Sequence, residues 1–169
     1  YYIKKDDAIE MKNDAVIIGA GHAGGMAAIS LRQRQYQGSI TLIGEENLLT
    51  YQRPALSKGF LSGEIEEKKL YLKSQDYFDK NNIRIIRNCK VVAIDRNNKT
   101  ILLENQKQLG YEKLIIATGS IVNKLKTSSE ETDLCYLRTI NDSLKIREKL
   151  RNTNKITIIG AGYIGLEIA

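Results

Sequence analysis

An α/β fold in three layers, with a small β-meander attached, is what the sequence predicts, and three observations predict it. The first is a short apolar run ending in glycine, Ala15-Val16-Ile17-Ile18-Gly19, which suits a strand buried on both faces. The second is a stretch of helix formers after that run and then another apolar run, Ile40-Thr41-Leu42-Ile43-Gly44, which complete a βαβ unit. The third is an internal echo, because the opening pattern returns at Lys155-Ile156-Thr157-Ile158-Ile159-Gly160-Ala161-Gly162.

The remaining elements come in chain order. Residues 1–12 are polar and without period, so a tail or linker is expected there and structure is expected from Asp14. Met26–Arg32 is rich in helix formers, and Gly38 can end that helix. Ser74 is placed to cap a short helix through Asn81, and Ile83-Arg84-Ile85-Ile86 reads as a third core strand. Lys90–Asp95 and Thr100–Leu103 read as two strands joined by a turn at Arg96–Lys99, where Asn97 and Asn98 suit left-handed backbone. Tyr111–Gly119 is another apolar strand ending at glycine, Leu134–Arg138 is a short strand candidate, and residues 141–151 look helical. A last strand is expected at the second glycine motif.

Composition excludes several classes. The 169 residues carry 26 Lys+Arg against 20 Asp+Glu, a formal charge of +6, with an apolar fraction of 42%. That is too apolar for an intrinsically disordered chain. No apolar run approaches the roughly 18 residues of a membrane-spanning helix. The basic residues are spread along the chain, so a basic but ordinary surface is expected and no nucleic-acid partner. Two cysteines, Cys89 and Cys135, cannot build a disulfide scaffold, and the start is not signal-like, so a cytoplasmic location is expected. The chain opens without Met and stops at Ala169 inside a motif, and it reads as a piece of a longer protein.

The chemistry concentrates in two glycine loops. Gly19-x-Gly21-x-x-Gly24 lies after a strand and opens a helix. The first glycine permits the tight turn, the second lets backbone approach a pyrophosphate, and the third lets helix and strand pack closely. The helix start then offers unpaired N–H groups to phosphate, with His22 and Ala23 completing the candidate contacts. A carboxylate about 20 residues further on can accept ribose hydroxyls, and Glu45 stands there, with Glu46 as the alternative acid. His22, the only histidine, could act as a base, but its place in a phosphate loop favours a role for its backbone N–H. With one histidine and no cysteine pair beside it, no metal site is expected. Gly160-x-Gly162-x-x-Gly165 repeats the first loop, and two such loops imply two dinucleotides and hydride or electron transfer between them.

These segments, with Tyr51-Gln52-Arg53-Pro54-Ala55-Leu56-Ser57-Lys58, Ala117-Thr118-Gly119 and Tyr136-Leu137-Arg138-Thr139, resemble the FAD-dependent pyridine nucleotide-disulfide oxidoreductases of the glutathione-reductase fold. Within them the likeness is greatest to bacterial ferredoxin, rubredoxin and putidaredoxin reductases. The resemblance spans about residues 13–169 and implies a three-layer, Rossmann-like FAD/NAD(P)-binding fold. It implies an FAD-binding segment over 13–120, and a connection with the start of an NAD(P)-binding domain over 121–169. The first loop would hold FAD, and the second, with Tyr163 and Ile164, would hold NADH or NADPH. Lys58 would lie beside the flavin and support negative charge on it, paired with Glu167. Arg53, Arg138, Val91 and Ala117-Thr118-Gly119 are the further FAD contacts that it implies.

The implied activity is hydride transfer from NAD(P)H to FAD, with electrons passed to a small iron–sulfur protein of ferredoxin or rubredoxin type. The full-length protein could be a homodimer. Pro54-Ala55 stands where the reductases often have Pro-Pro and resembles the Pro-Ala of plant-type monodehydroascorbate reductases; monodehydroascorbate, oxygen or a nitrite-reductase partner domain are the other acceptors within this class. A flavoprotein resembling apoptosis-inducing factor and a truncated, inactive product are the readings from other classes. A redox-active cysteine is absent after the second strand, in Asn47–Arg53, so disulfide reduction is not expected. Cys89 and Cys135 read as core or near-core thiols.

Overall fold

The computed structural model describes residues 10–126, 134–153 and 155–169. They fall into two units, one from residues 10–51 and 72–119, the other from 52–71 and the described part of 120–169. Residues 1–9 of the expected tail lie outside the described residues.

The first unit is built on one six-stranded sheet, ordered β3-β2-β1-β6-β5-β4. Its strands are β1 (Glu10–Ile18), β2 (Ile40–Ile43), β3 (Ile83–Ile86), β4 (Val91–Asp95), β5 (Thr100–Leu103) and β6 (Gln108–Ile116). Strands β3, β2, β1 and β6 run parallel. The β4–β5–β6 stretch is an antiparallel meander that joins the sheet through β6.

Period-two alternation splits β1 between two cores. Ile17 packs with Ala28 and Ile29 of helix α1 (His22–Gln33), with Phe78 of helix α3 (Gln75–Lys80), and with Ile40, Leu42 and Ile83. Val16 and Ile18 point the other way, into a cluster with Ile43, Cys89, Ile101, Leu103, Leu109 and Tyr111. Helices on one face and the meander on the other make the three layers. Strands covered on both sides have no solvent face, which is why β1 and β2 read as unbroken apolar runs. The one hydroxyl inside β2, on Thr41, is satisfied by donating to Asn13 Oδ1 at 2.8 Å.

The second unit carries α2 (Gly59–Ser62), α4 (Ile140–Arg151), α5 (Tyr163–Ile168) and a 3-10 turn at Pro54–Ser57. Helix α4 packs on α2 and on this turn, and α5 touches the same turn. Thr139 starts α4 with a capping box: its hydroxyl accepts from Asp142 N–H, and the Asp142 carboxylate accepts from Thr139 N–H at 2.7 Å. No helix among the described residues is long and apolar enough to cross a membrane.

Several boundaries differ from the sequence expectation. Strand β1 begins at Glu10 rather than Asp14, because β6 begins at Gln108 and supplies ladder partners upstream: Glu10 pairs with Leu109 and Asn13 with Tyr111. Helix α1 ends at Gln33, ahead of Gly38, with Gln35 taking positive φ. In the β4–β5 turn, left-handed backbone falls on Lys99 and not on either asparagine. The Asp95 carboxylate organises that turn by accepting the N–H groups of Asn97 and Asn98, both at 3.0 Å. Leu134–Arg138 and residues 156–159 form no strand. Among the described residues neither segment finds a ladder partner, and apolar character alone does not make a strand. Cys135, expected inside a strand, is instead exposed in a loop, whereas Cys89 is a core thiol.

Candidate nucleotide-binding loops and the Lys58–Glu167 pair

The first glycine loop sits at the carboxyl ends of the parallel strands. Gly19 N–H donates to Ile43 O at 2.8 Å, and Ala117 N–H donates to Ile18 O at 2.7 Å. The turn requires φ +106° at Gly19, a conformation that suits glycine. A Cβ at Gly19 would also lie 2.1 Å from Ala117 O, so this loop and Ala117-Thr118-Gly119 are packed backbone against backbone. A Cβ at Gly24 would fall 1.9 Å from Gly19 O, which fixes how closely α1 approaches its strand.

Gly21 is different. It is the N-cap of α1, without a side-chain cap, and a Cβ there would meet nothing within 4 Å. The first N–H groups of α1, including those of His22 and Ala23, have no intrahelical acceptor. Both residues are exposed. The result is an open cradle of backbone donors at the positive end of a 12-residue helix, with no acidic residue in its first turn. Thr50 adds a feature the sequence did not disclose. It is fully buried, its side chain lies against Gly25 of α1, and its hydroxyl has no hydrogen-bond partner. An orphaned hydroxyl and a cradle that a side chain would fill both fit a phosphate-bearing ligand.

The two candidate acids are now distinguished. Glu46 accepts the Tyr51 hydroxyl at 2.7 Å. Glu45 keeps an accessible carboxylate, with Lys90 Nζ at 3.8 Å. Val91 opens β4 next to Lys90 in the chain and packs on the Val16 cluster.

The second unit repeats the loop. Gly160 also has φ +106°, a Cβ at Gly165 would lie 2.5 Å from Gly160 O, and one at Gly162, the N-cap of α5, would meet nothing within 4 Å. Tyr163 and Ile164 come next, both exposed.

The same unit brings Lys58 and Glu167 together. Lys58 Nζ is 3.2 Å from Glu167 Oε1. The Ser57 hydroxyl donates to the other oxygen, Oε2, at 2.5 Å. These contacts, the Ser57 hydrogen bond first and Lys58 second, hold the Glu167 carboxyl below the ordinary glutamate range. Arg53 and Arg138 also meet: Arg53 Nη1 donates to the Arg138 carbonyl, and Arg138 N–H donates to Asp142 Oδ2 at 3.0 Å. Ser57, which contacts Glu167, and Thr50, which lies against Gly25, are neighbours of the candidate residues that sequence reasoning missed. The only signal for Ser57 was adjacency to Lys58 in Leu56-Ser57-Lys58.

Comparison with known proteins shows the family and the fold. Rubredoxin-NAD(+) reductase of Pseudomonas putida is 42% identical over 155 residues, covering 91% of this chain and 40% of that protein. The solved structure of NADH:rubredoxin oxidoreductase from Clostridium acetobutylicum superposes with a TM-score of 0.83 at 36% identity, covering 94% of this chain and 41% of that one. A chain of the covalent putidaredoxin reductase–putidaredoxin complex gives 0.88 at 34% identity, with coverage of 92% and 38%. The chain thus spans about two fifths of the length of the curated relatives it matches. The family model described as pyridine nucleotide-disulphide oxidoreductase matches residues 13–169, and the chain belongs to that family.

Proposed function

We propose that this chain is the N-terminal part of an FAD-dependent NAD(P)H oxidoreductase that delivers electrons to a small iron–sulfur protein of ferredoxin or rubredoxin type. The observation that carries this reading is the repeated loop: two glycine motifs in the same conformation, each with an open N-cap glycine. When bound, FAD supplies a centre that accepts a hydride and releases electrons singly.

The chain's own residues bind and orient. His22, Ala23 and Gly24 hold the FAD pyrophosphate through backbone N–H groups, Gly21 leaves room for it to approach, Gly19 shapes the turn beneath it, and Glu45 takes the ribose hydroxyls. Arg53, Val91, Ala117, Thr118, Gly119 and Arg138 are the further candidate FAD contacts. Gly160, Gly162, Tyr163, Ile164 and Gly165 serve NAD(P)H. Lys58, with Glu167, sets the charge that the flavin meets. Residues 13–120 are then the first FAD-binding segment, and 121–169 lead into the NAD(P)-binding domain. A cytoplasmic location and a homodimeric full-length enzyme complete the proposal.

The test is purification of the full-length protein, its flavin spectrum, anaerobic reduction by NADH and NADPH, and an acceptor panel of rubredoxin, ferredoxin, monodehydroascorbate and oxygen. Bound FAD, reduction by a pyridine nucleotide and fastest turnover with an iron–sulfur protein are expected. A protein without FAD overturns the reading, and fastest turnover with another acceptor overturns its partner.

A further inference from the structure

Lys58 and Glu167 are a poorly constrained pair if taken alone. Their side chains are 56% and 32% exposed, and exposed ion pairs hold their geometry weakly. The structure adds a third member. Ser57 is only 5% exposed and ends the Pro54–Ser57 turn, so its hydroxyl is a donor with little freedom. It takes Glu167 Oε2 and leaves Oε1 to Lys58, so each carboxylate oxygen has its own partner.

The turn is itself clasped from α4. Ser143, fully buried, donates its hydroxyl to Leu56 O at 2.8 Å, and Arg53 Nη1 holds the Arg138 carbonyl just ahead of that helix. A rigid hydroxyl on a clasped turn can fix a carboxylate that a mobile lysine cannot.

We infer that Ser57 is a positioning residue, which orients the Glu167 carboxylate so that the Lys58–Glu167 pair keeps one geometry. The inference rests on the proposed role of that pair in setting the charge at the flavin.

The experiment uses the full-length holoenzyme and three readouts. The first is the Glu167 carboxyl titration, observed by carbon-13 NMR. The second is the flavin midpoint potential in S57A, E167Q and S57A/E167Q. The third is the rate of flavin reduction by NADH. In S57A, Glu167 titrates at higher pH, the potential moves in the same direction as in E167Q, and reduction slows by about tenfold or more. The double variant matches E167Q, because Ser57 acts only through Glu167. S57T, which keeps the hydroxyl, restores the titration. If S57A fails to fold, S57C, with a weaker donor of similar size, carries the same test. An unchanged Glu167 titration, or effects of S57A and E167Q that simply add, overturns the role of Ser57. If S57A raises the titration but E167Q leaves the potential unmoved, Ser57 keeps its positioning role and the flavin-tuning reading of the pair falls.

Discussion

The carbonyl oxygen of Gly19 occupies the place where Gly24 would carry a side chain, 1.9 Å from an ideal Cβ. The glycines of the loop therefore differ in what they tolerate. Gly24→Ala must push backbone apart and is expected to cost about 1–3 kcal/mol, read from chemical denaturation. Gly21→Ala points its methyl into open space, so stability should stay within about 1 kcal/mol. Flavin content should nevertheless fall in Gly21→Ala, because the methyl enters the phosphate cradle. A stable Gly21→Ala protein that keeps its full flavin complement would contradict the placement.

Thr50→Val replaces a buried, unpartnered hydroxyl by a methyl of nearly the same size. In flavin-stripped full-length protein this should raise stability by about 1 kcal/mol, since the cost of the orphaned group is removed. FAD affinity should fall, measured by equilibrium dialysis. An unchanged affinity would separate Thr50 from the cofactor site.

Thr139→Ala removes the hydroxyl half of the capping box on α4 and leaves Asp142 without its side-chain partner. The expected loss is about 1–2 kcal/mol, and hydrogen exchange should rise in the first turn, around Asp142 and Ser143. If exchange rises elsewhere instead, the box is not what anchors this helix.

Two carboxylates make an acid-sensitivity prediction. Backbone and side-chain hydrogen bonds from Ser39 lower the Asp14 pKa, and those from Asn98, with Asn97, lower that of Asp95, both below the ordinary value of 3.8. A depressed folded-state pKa adds stability that is fully present above the unfolded value and is lost as pH falls through the folded one. Both are surface groups, so the effect is a gentle slope below pH 3.8, absent near neutrality. Denaturation midpoints of D14N and D95N against wild type, taken from about pH 2 to about pH 6, should converge at the acid end.

How far the sequence reveals the molecule depends on whether the physics is local. Val16, Ile17 and Ile18 are legible because burial on two faces leaves no polar position in a strand. Ser74 is legible because a cap acts within one turn, and its hydroxyl does accept from Tyr77 N–H. The start of β1 at Glu10 is not, since only the ladder from β6 makes that polar stretch a strand. Residues 156–159 mislead in the opposite sense, because their pattern is right and their partners are missing from the described residues. In the site, glycine spacing points directly to both loops. Ser57 and Thr50 stay hidden because a lone hydroxyl in a loop has no periodicity to betray it.

Strand β6 pairs with β1 along most of its length and with β5 at its start. This has a consequence for the order of folding. The β4–β5–β6 meander joins near neighbours in the chain and can form early, whereas β1, although it can pair with β2 soon after both are made, must wait much longer for β6 on its other edge. Because Gly19 packs on Ala117, the first glycine loop gains its shape only once that late strand is in place. During synthesis on the ribosome, a nascent chain showing Gly19–Gly24 would carry the motif but not yet the cradle, and nucleotide capture would begin only after Ala117 had emerged.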